Sequence, residues 1–62
     1  MKPKMQLDSK KDGDGYSMTV RAASILAAHG LKEEAKEIHQ RAKIEEYDVY
    51  FVYRLLKEYV NI

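Results

Sequence analysis

The stretch EEYDVYFVYRLLKEYVNI, residues 45–62, decides how this chain folds, because its composition and its spacing point in opposite directions. Its tyrosine, valine and phenylalanine content favours a β-strand. A strand with one buried face alternates apolar and polar residues, however, and Val49-Tyr50-Phe51-Val52-Tyr53 is an unbroken bulky run. Wound as a helix, Tyr47, Phe51, Leu55, Tyr59 and Ile62 form one stripe, and Val49, Val52, Tyr53, Leu56 and Val60 form a second beside it. Arg54, Lys57, Glu58 and Asn61 then share the remaining arc. This segregation predicts a strongly apolar C-terminal helix. Asp48 fits it only as the residue that caps the start.

Upstream, the helical period is easier to see. Met18, Ala22, Ile25, Leu26 and His29 lie on one face of a helix that begins near Ser17 or Thr19, either of which can accept from a free amide of the first turn. Alanines 22, 23, 27 and 28 add high propensity at little volume, and Gly30 supplies the C-terminal cap. A second helix over residues 31–43 carries Leu31, Ala35, Ile38 and Ala42 on one face and is otherwise polar. Its early glutamates and late Arg41 and Lys43 complement the helix dipole, and Glu37 and Arg41 are placed to pair one turn apart. No glycine or proline separates this helix from the next. The apolar stripe changes phase between Ile44 and Asp48, which places a break there.

Residues 1–16 hold few large apolar groups and many charges, and they read as a flexible N-terminal arm ending in a glycine-rich turn. The alternative, MQLDS paired with YSMTV across KKDGDG, is a two-stranded hairpin that would need a helix to lean on. Within KKDGDGYSMTVR, the segment from Asp12 to Ser17 resembles the middle of an EF-hand calcium loop. Lys10 then occupies the first ligand position and Arg21 the last, where two carboxylates are required. Starting the loop at Asp8 puts Lys10 third and Thr19 last. The segment therefore reads as a turn leading into a helix, with no metal site. The chain divides into this arm, 1–16, and a small three-helix domain, 17–62, of all-α class.

The run AASILAAHGLKEEAKEIHQRAK, residues 22–43, resembles a single unit of a tetratricopeptide repeat, two antiparallel helices joined by a short turn. Ala23, Gly30, Ala35 and Ala42 match that family's small positions, and Leu26 and His39 fall where it places large packing residues. Thr19 stands where an aromatic is usual, and Tyr47 where proline commonly closes the unit. The resemblance implies a helical hairpin with close helix approach, and the third helix as a lid. It carries over no ligand-binding residues.

The chain has 62 residues and no cysteine, so it forms one domain without disulfides or thiolate chemistry. No apolar run reaches the length of a membrane span, and no signal-like segment opens the chain, which reads as soluble and cytoplasmic. Eleven basic residues balance ten acidic ones. That balance argues against nucleic acid as the main partner. His29 and His39 lie too far apart in sequence to share one helical face as a zinc pair. No phosphate-cradling glycine motif and no activated-nucleophile motif occurs, so no cofactor, small-molecule substrate or enzymatic activity is expected.

Four of the five tyrosines lie between residues 47 and 59. The narrow alanine-rich stripes of the first two helices cannot cover both sides of such a segment. The expected function is a non-enzymatic protein–protein interaction module that presents an aromatic helical face, with Tyr50, Tyr53, Arg54 and Tyr59 as contact residues, and a second copy or another protein as partner. The alternative is a small helix-turn-helix-like DNA-binding regulator. For that role only Gln40, Arg41 and Lys43 suit the second helix, and they sit late in it.

Overall fold

A computed structural model of residues 1–62 shows three helices in sequence, α1 (Gly15–Ala28), α2 (Lys32–Ile44) and α3 (Val49–Tyr59), and no strands. Residues 49–59 are thus helical, as their spacing requires, and the fold is all-α. No helix is long and apolar enough to cross a membrane.

Each boundary has a local cause. α1 starts earlier than the hydroxyl-bearing residues suggest. Asp14 is its N-cap, accepting from the Ser17 amide at 2.7 Å, so Ser17 receives the cap that it was expected to provide. Thr19 instead turns its hydroxyl back to the Gly15 carbonyl at 2.7 Å. The α1 C-terminus is a Schellman turn. Gly30, at φ 78°, donates to Ala27, and Leu31 donates to the Leu26 carbonyl at 2.8 Å.

The break between α2 and α3 uses the same geometry without glycine. Glu46 donates to Lys43 at 2.9 Å and Tyr47 to Ala42 at 2.8 Å, with both residues in the left-handed region at φ 54° and 56°. Two such non-glycine residues cost on the order of 1 kcal/mol each. Packing must hold them there. Asp48 then caps α3, accepting from the Phe51 amide at 2.9 Å.

Gly15 owes its place to this turn. A Cβ there would overlap the Tyr47 carbonyl, so the start of α1 sits against the α2–α3 turn at a distance only glycine allows.

The core joins all three helices. Met18, Ala22 and Leu26 come from α1, Ile38 and Ala42 from α2, and Val52, Leu55, Leu56 and Tyr59 from α3. The α3 residues recur at three, four and seven, so the buried face is the seam between its two apolar stripes.

Residues 1–7 lie along the C-terminal end rather than apart from it. Met5 is buried and donates its amide to the Asn61 carbonyl at 2.9 Å, and Asn61 donates to Pro3 at 2.8 Å. Lys4 and Asn61 form an isolated parallel bridge. Lys2 Nζ donates to the Lys57 carbonyl at 2.8 Å, placing a cation at the negative end of α3. The Cα radius of gyration, 10.2 Å, matches the roughly 10–11 Å of a compact chain this long, with no trailing arm. The segment expected as a flexible arm therefore packs as part of the domain, because Met5 supplies core volume that α1 and α2 lack.

Candidate interaction surface

The outward face of α3 lies opposite its buried seam. At 100° per residue, Tyr50, Tyr53, Arg54 and Lys57 share one arc, and all four are exposed. Tyr50 is 80% exposed and Tyr53 40%, with Val49 beside them at 42%. The face is also polarised along its axis, with the tyrosines on the first turns and the cations on the later ones. Lys57 Nζ lies 4.8 Å from the Tyr53 ring centroid, a cation–π contact. Arg54 makes no ion pair within the chain.

Beside the tyrosine end runs an open groove of about 640 Å³ between α3 and the 7–12 turn. Leu7, Val49, Tyr50 and Tyr53 form its apolar walls with Met18 behind them, while Asp8, Ser9 and Asp12 supply its polar atoms. No lysine, arginine or histidine lines it. Arg21 of α1 fixes the turn from the other side, donating from Nη1 to Asp12 Oδ2 at 2.5 Å and from Nη2 to the Gln6 carbonyl at 3.0 Å. The Asp8 amide also donates to Asp12 Oδ2, at 2.7 Å. The Asp12 side chain is 3% exposed, and its Oδ1 has no hydrogen-bond partner. Asp12 and Asp14, the two carboxylates of the calcium-like stretch, thus serve as a turn anchor and a helix cap.

Three of the four expected contact residues, Tyr50, Tyr53 and Arg54, come together on this face. Tyr59 does not. It is 8% exposed on the core side of α3, donates its hydroxyl to Glu37 Oε1 and accepts from Arg41 Nη1 at 3.0 Å. The reason is angular, since Tyr59 is two full turns from Val52 and therefore lies on the buried seam. Burial, reinforced by the bond to Glu37, raises the Tyr59 phenol above its usual range.

Arg41 also grips Glu58 through two bonds, at 2.9 and 3.3 Å. This holds the Glu58 carboxyl below and the Arg41 guanidinium above their ordinary ranges. The expected Glu37–Arg41 pair is consequently relayed through the Tyr59 hydroxyl. Arg41, the strongest phosphate ligand that the DNA-binding alternative offers, is already engaged.

A second aromatic group joins the start of α1 to the α2–α3 turn. Tyr16 meets Tyr47 edge-on at 5.1 Å, and His39 lies 5.9 Å from Tyr47 between ring centroids. These contacts help to hold the strained turn.

Leu7, Val49 and Lys57 join the surface, and Asp12 lines the groove from within, although none of them was expected as a contact residue. For Lys57 the signal was present, since it completes the spacing 50, 53, 54, 57. Leu7 and Asp12 reach the groove only through the fold of the N-terminal segment. Compared with known proteins, the chain matches no family model, no curated protein and no solved structure.

Proposed function

We propose that this chain is a non-enzymatic interaction protein that self-associates through the outward face of α3. The observation that carries the reading is the contiguous exposure of Tyr50, Tyr53, Val49 and Leu7 around one apolar groove. Isolated exposed apolar residues are ordinary, but a clustered patch of this kind on so small a chain favours a protein partner. Tyrosine is well suited to such a contact, because it buries a large rigid surface and keeps a polar tip.

The partner is a second copy of the chain, because a two-fold contact needs only one self-complementary patch. The 11 residues of α3 span about 16 Å, so the contact is smaller than a standard footprint of about 800 Å² per partner. A micromolar dissociation constant is therefore expected. Sedimentation equilibrium from micromolar to millimolar concentration tests the reading. The wild-type chain should dimerise, and Tyr50→Glu, at a position that contributes nothing to the core, should remain folded and monomeric. A wild-type chain that stays monomeric across that range refutes it.

A further inference from the structure

We infer that residues 1–7 act as a strap whose docking controls self-association, because the groove beside Tyr50 is complete only while the strap is in place. This rests on the self-association proposed above and supplies its regulation.

The strap and the turn that follows it build one wall of the groove. Leu7, Asp8, Ser9 and Asp12 stand across from Val49, Tyr50 and Tyr53 of α3. Without that wall the tyrosines form a ridge rather than one side of a cleft. Leu7 is set by Met5, because side chains two residues apart on an extended segment point to the same face. Met5 is seated in the core at 3% exposure, so it brings Leu7 to the groove without being open to a partner itself. It is a positioning residue for the contact.

The strap is also lightly held. It has no helical hydrogen bonds of its own. Its backbone meets the C-terminal end through two bonds, Met5 to the Asn61 carbonyl at 2.9 Å and Asn61 to the Pro3 carbonyl at 2.8 Å. Arg21 donates to the Gln6 carbonyl at 3.0 Å, and Lys2 reaches the Lys57 carbonyl from an exposed position. Segments with few buried groups and exposed bonds open before the core does. Two states follow. With the strap docked the groove is formed, and with it released Met5 leaves the core and one wall is missing.

A second copy that needs the groove binds only the docked state, so dimerisation and docking reinforce each other by the same factor. A two-fold contact needs the groove in both copies, and affinity therefore falls as the square of the docked fraction. A strap docked about one-third of the time weakens dimerisation roughly tenfold.

Amide exchange followed by NMR tests the coupling. In the monomeric Tyr50→Glu variant, the Met5 and Asn61 amides should exchange faster than that of Leu56 in α3, at a rate independent of protein concentration. In the wild type they should slow about tenfold once the free chain is about ten times above the dissociation constant. Met5→Ala should dimerise roughly tenfold more weakly or worse, although Met5 is out of a partner's reach. Met5→Leu keeps the core volume and should dimerise like the wild type. Ile38→Val loosens the core from α2, which lends nothing to the groove, and should leave dimerisation unchanged. Three results overturn the coupling and leave self-association standing. They are strap amides that exchange only as fast as Leu56, a wild-type dimer that leaves strap exchange unaltered, and a folded Met5→Ala chain that dimerises normally. A wild-type monomer removes both. Should Met5→Ala fail to fold, exchange in the wild type decides the question alone.

Discussion

Replacing Gly15 with alanine sets two opposing effects against each other, and the structure decides which wins. Alanine normally stabilises a helical position over glycine by up to about 1 kcal/mol, largely by restricting the unfolded chain. Here the new Cβ would overlap the backbone carbonyl of Tyr47, which cannot swing aside as a side chain would. Tyr47 is pinned by the hydrogen bond that its amide donates to the Ala42 carbonyl at 2.8 Å, and it already sits at φ 56°. Relief requires α1 to lift away from the turn, which loosens the edge contact between Tyr16 and Tyr47 as well. Forced overpacking costs about 1–3 kcal/mol and the aromatic contact about 0.5–1.5 kcal/mol, so the net destabilisation should be roughly 1–3 kcal/mol. A chain of this length has a total stability of about 3–9 kcal/mol, and its Tm moves about 4–8 °C per kcal/mol, so a fall of about 10 °C is expected. Thermal and urea unfolding followed by circular dichroism would measure it. Gly13→Ala is the control, because its Cβ would only touch the Ser9 carbonyl at an ordinary 3.7 Å. If Gly15→Ala proves as stable as the wild type, the close approach of α1 to the turn is wrong.

Three further outcomes are expected. Met5→Ala should cost about 2 kcal/mol or more, because it empties a core site, and should speed hydrogen exchange at the Met5 and Asn61 amides. A free N-terminal segment would show neither effect. Tyr59→Phe should lose about 1 kcal/mol in urea unfolding, since Glu37 and Arg41 each lose a partner; unchanged stability would mean that water already satisfies them. Stability should also fall in acid. The Ser17 amide lowers the Asp14 carboxyl and Arg41 lowers that of Glu58. Each contribution is therefore complete above the unfolded carboxylate range near pH 4 and is lost as pH drops through the lowered folded values. Asp14→Asn keeps a cap that does not titrate, so its Tm should fall less steeply below pH 4; an identical slope would exclude Asp14 from the effect.

The legible parts of this fold were those fixed by near neighbours. The helical reading of 45–62 followed from the 3.6-residue segregation of Arg54, Lys57 and Glu58 away from the bulky residues. Gly30 marked the end of α1, and Asp48 was readable as a cap because no other role suited it. The turn at Glu46 and Tyr47 was visible only as a change of phase. Its residues are unfavourable in left-handed geometry and adopt it because Gly15 and Tyr16 pack against them. Asp14 gave no stronger signal than Ser17, and the choice between them depended on where α1 had to begin to meet that turn.

The amino-acid order alone thus determined three helices and a third helix too apolar to be solvated all round. Tertiary structure decided which arc of that helix was hidden. The seam through Val52, Leu55, Leu56 and Tyr59 met α1 and α2, which drew Tyr59 inward, and residues 1–7 closed over one end. Tyr50 and Tyr53 remained outside. Local periodicity records how side chains are distributed around an axis. Which side loses its water depends on contacts between residues far apart in the chain, such as Met5 with the C-terminal end and Gly15 with Tyr47.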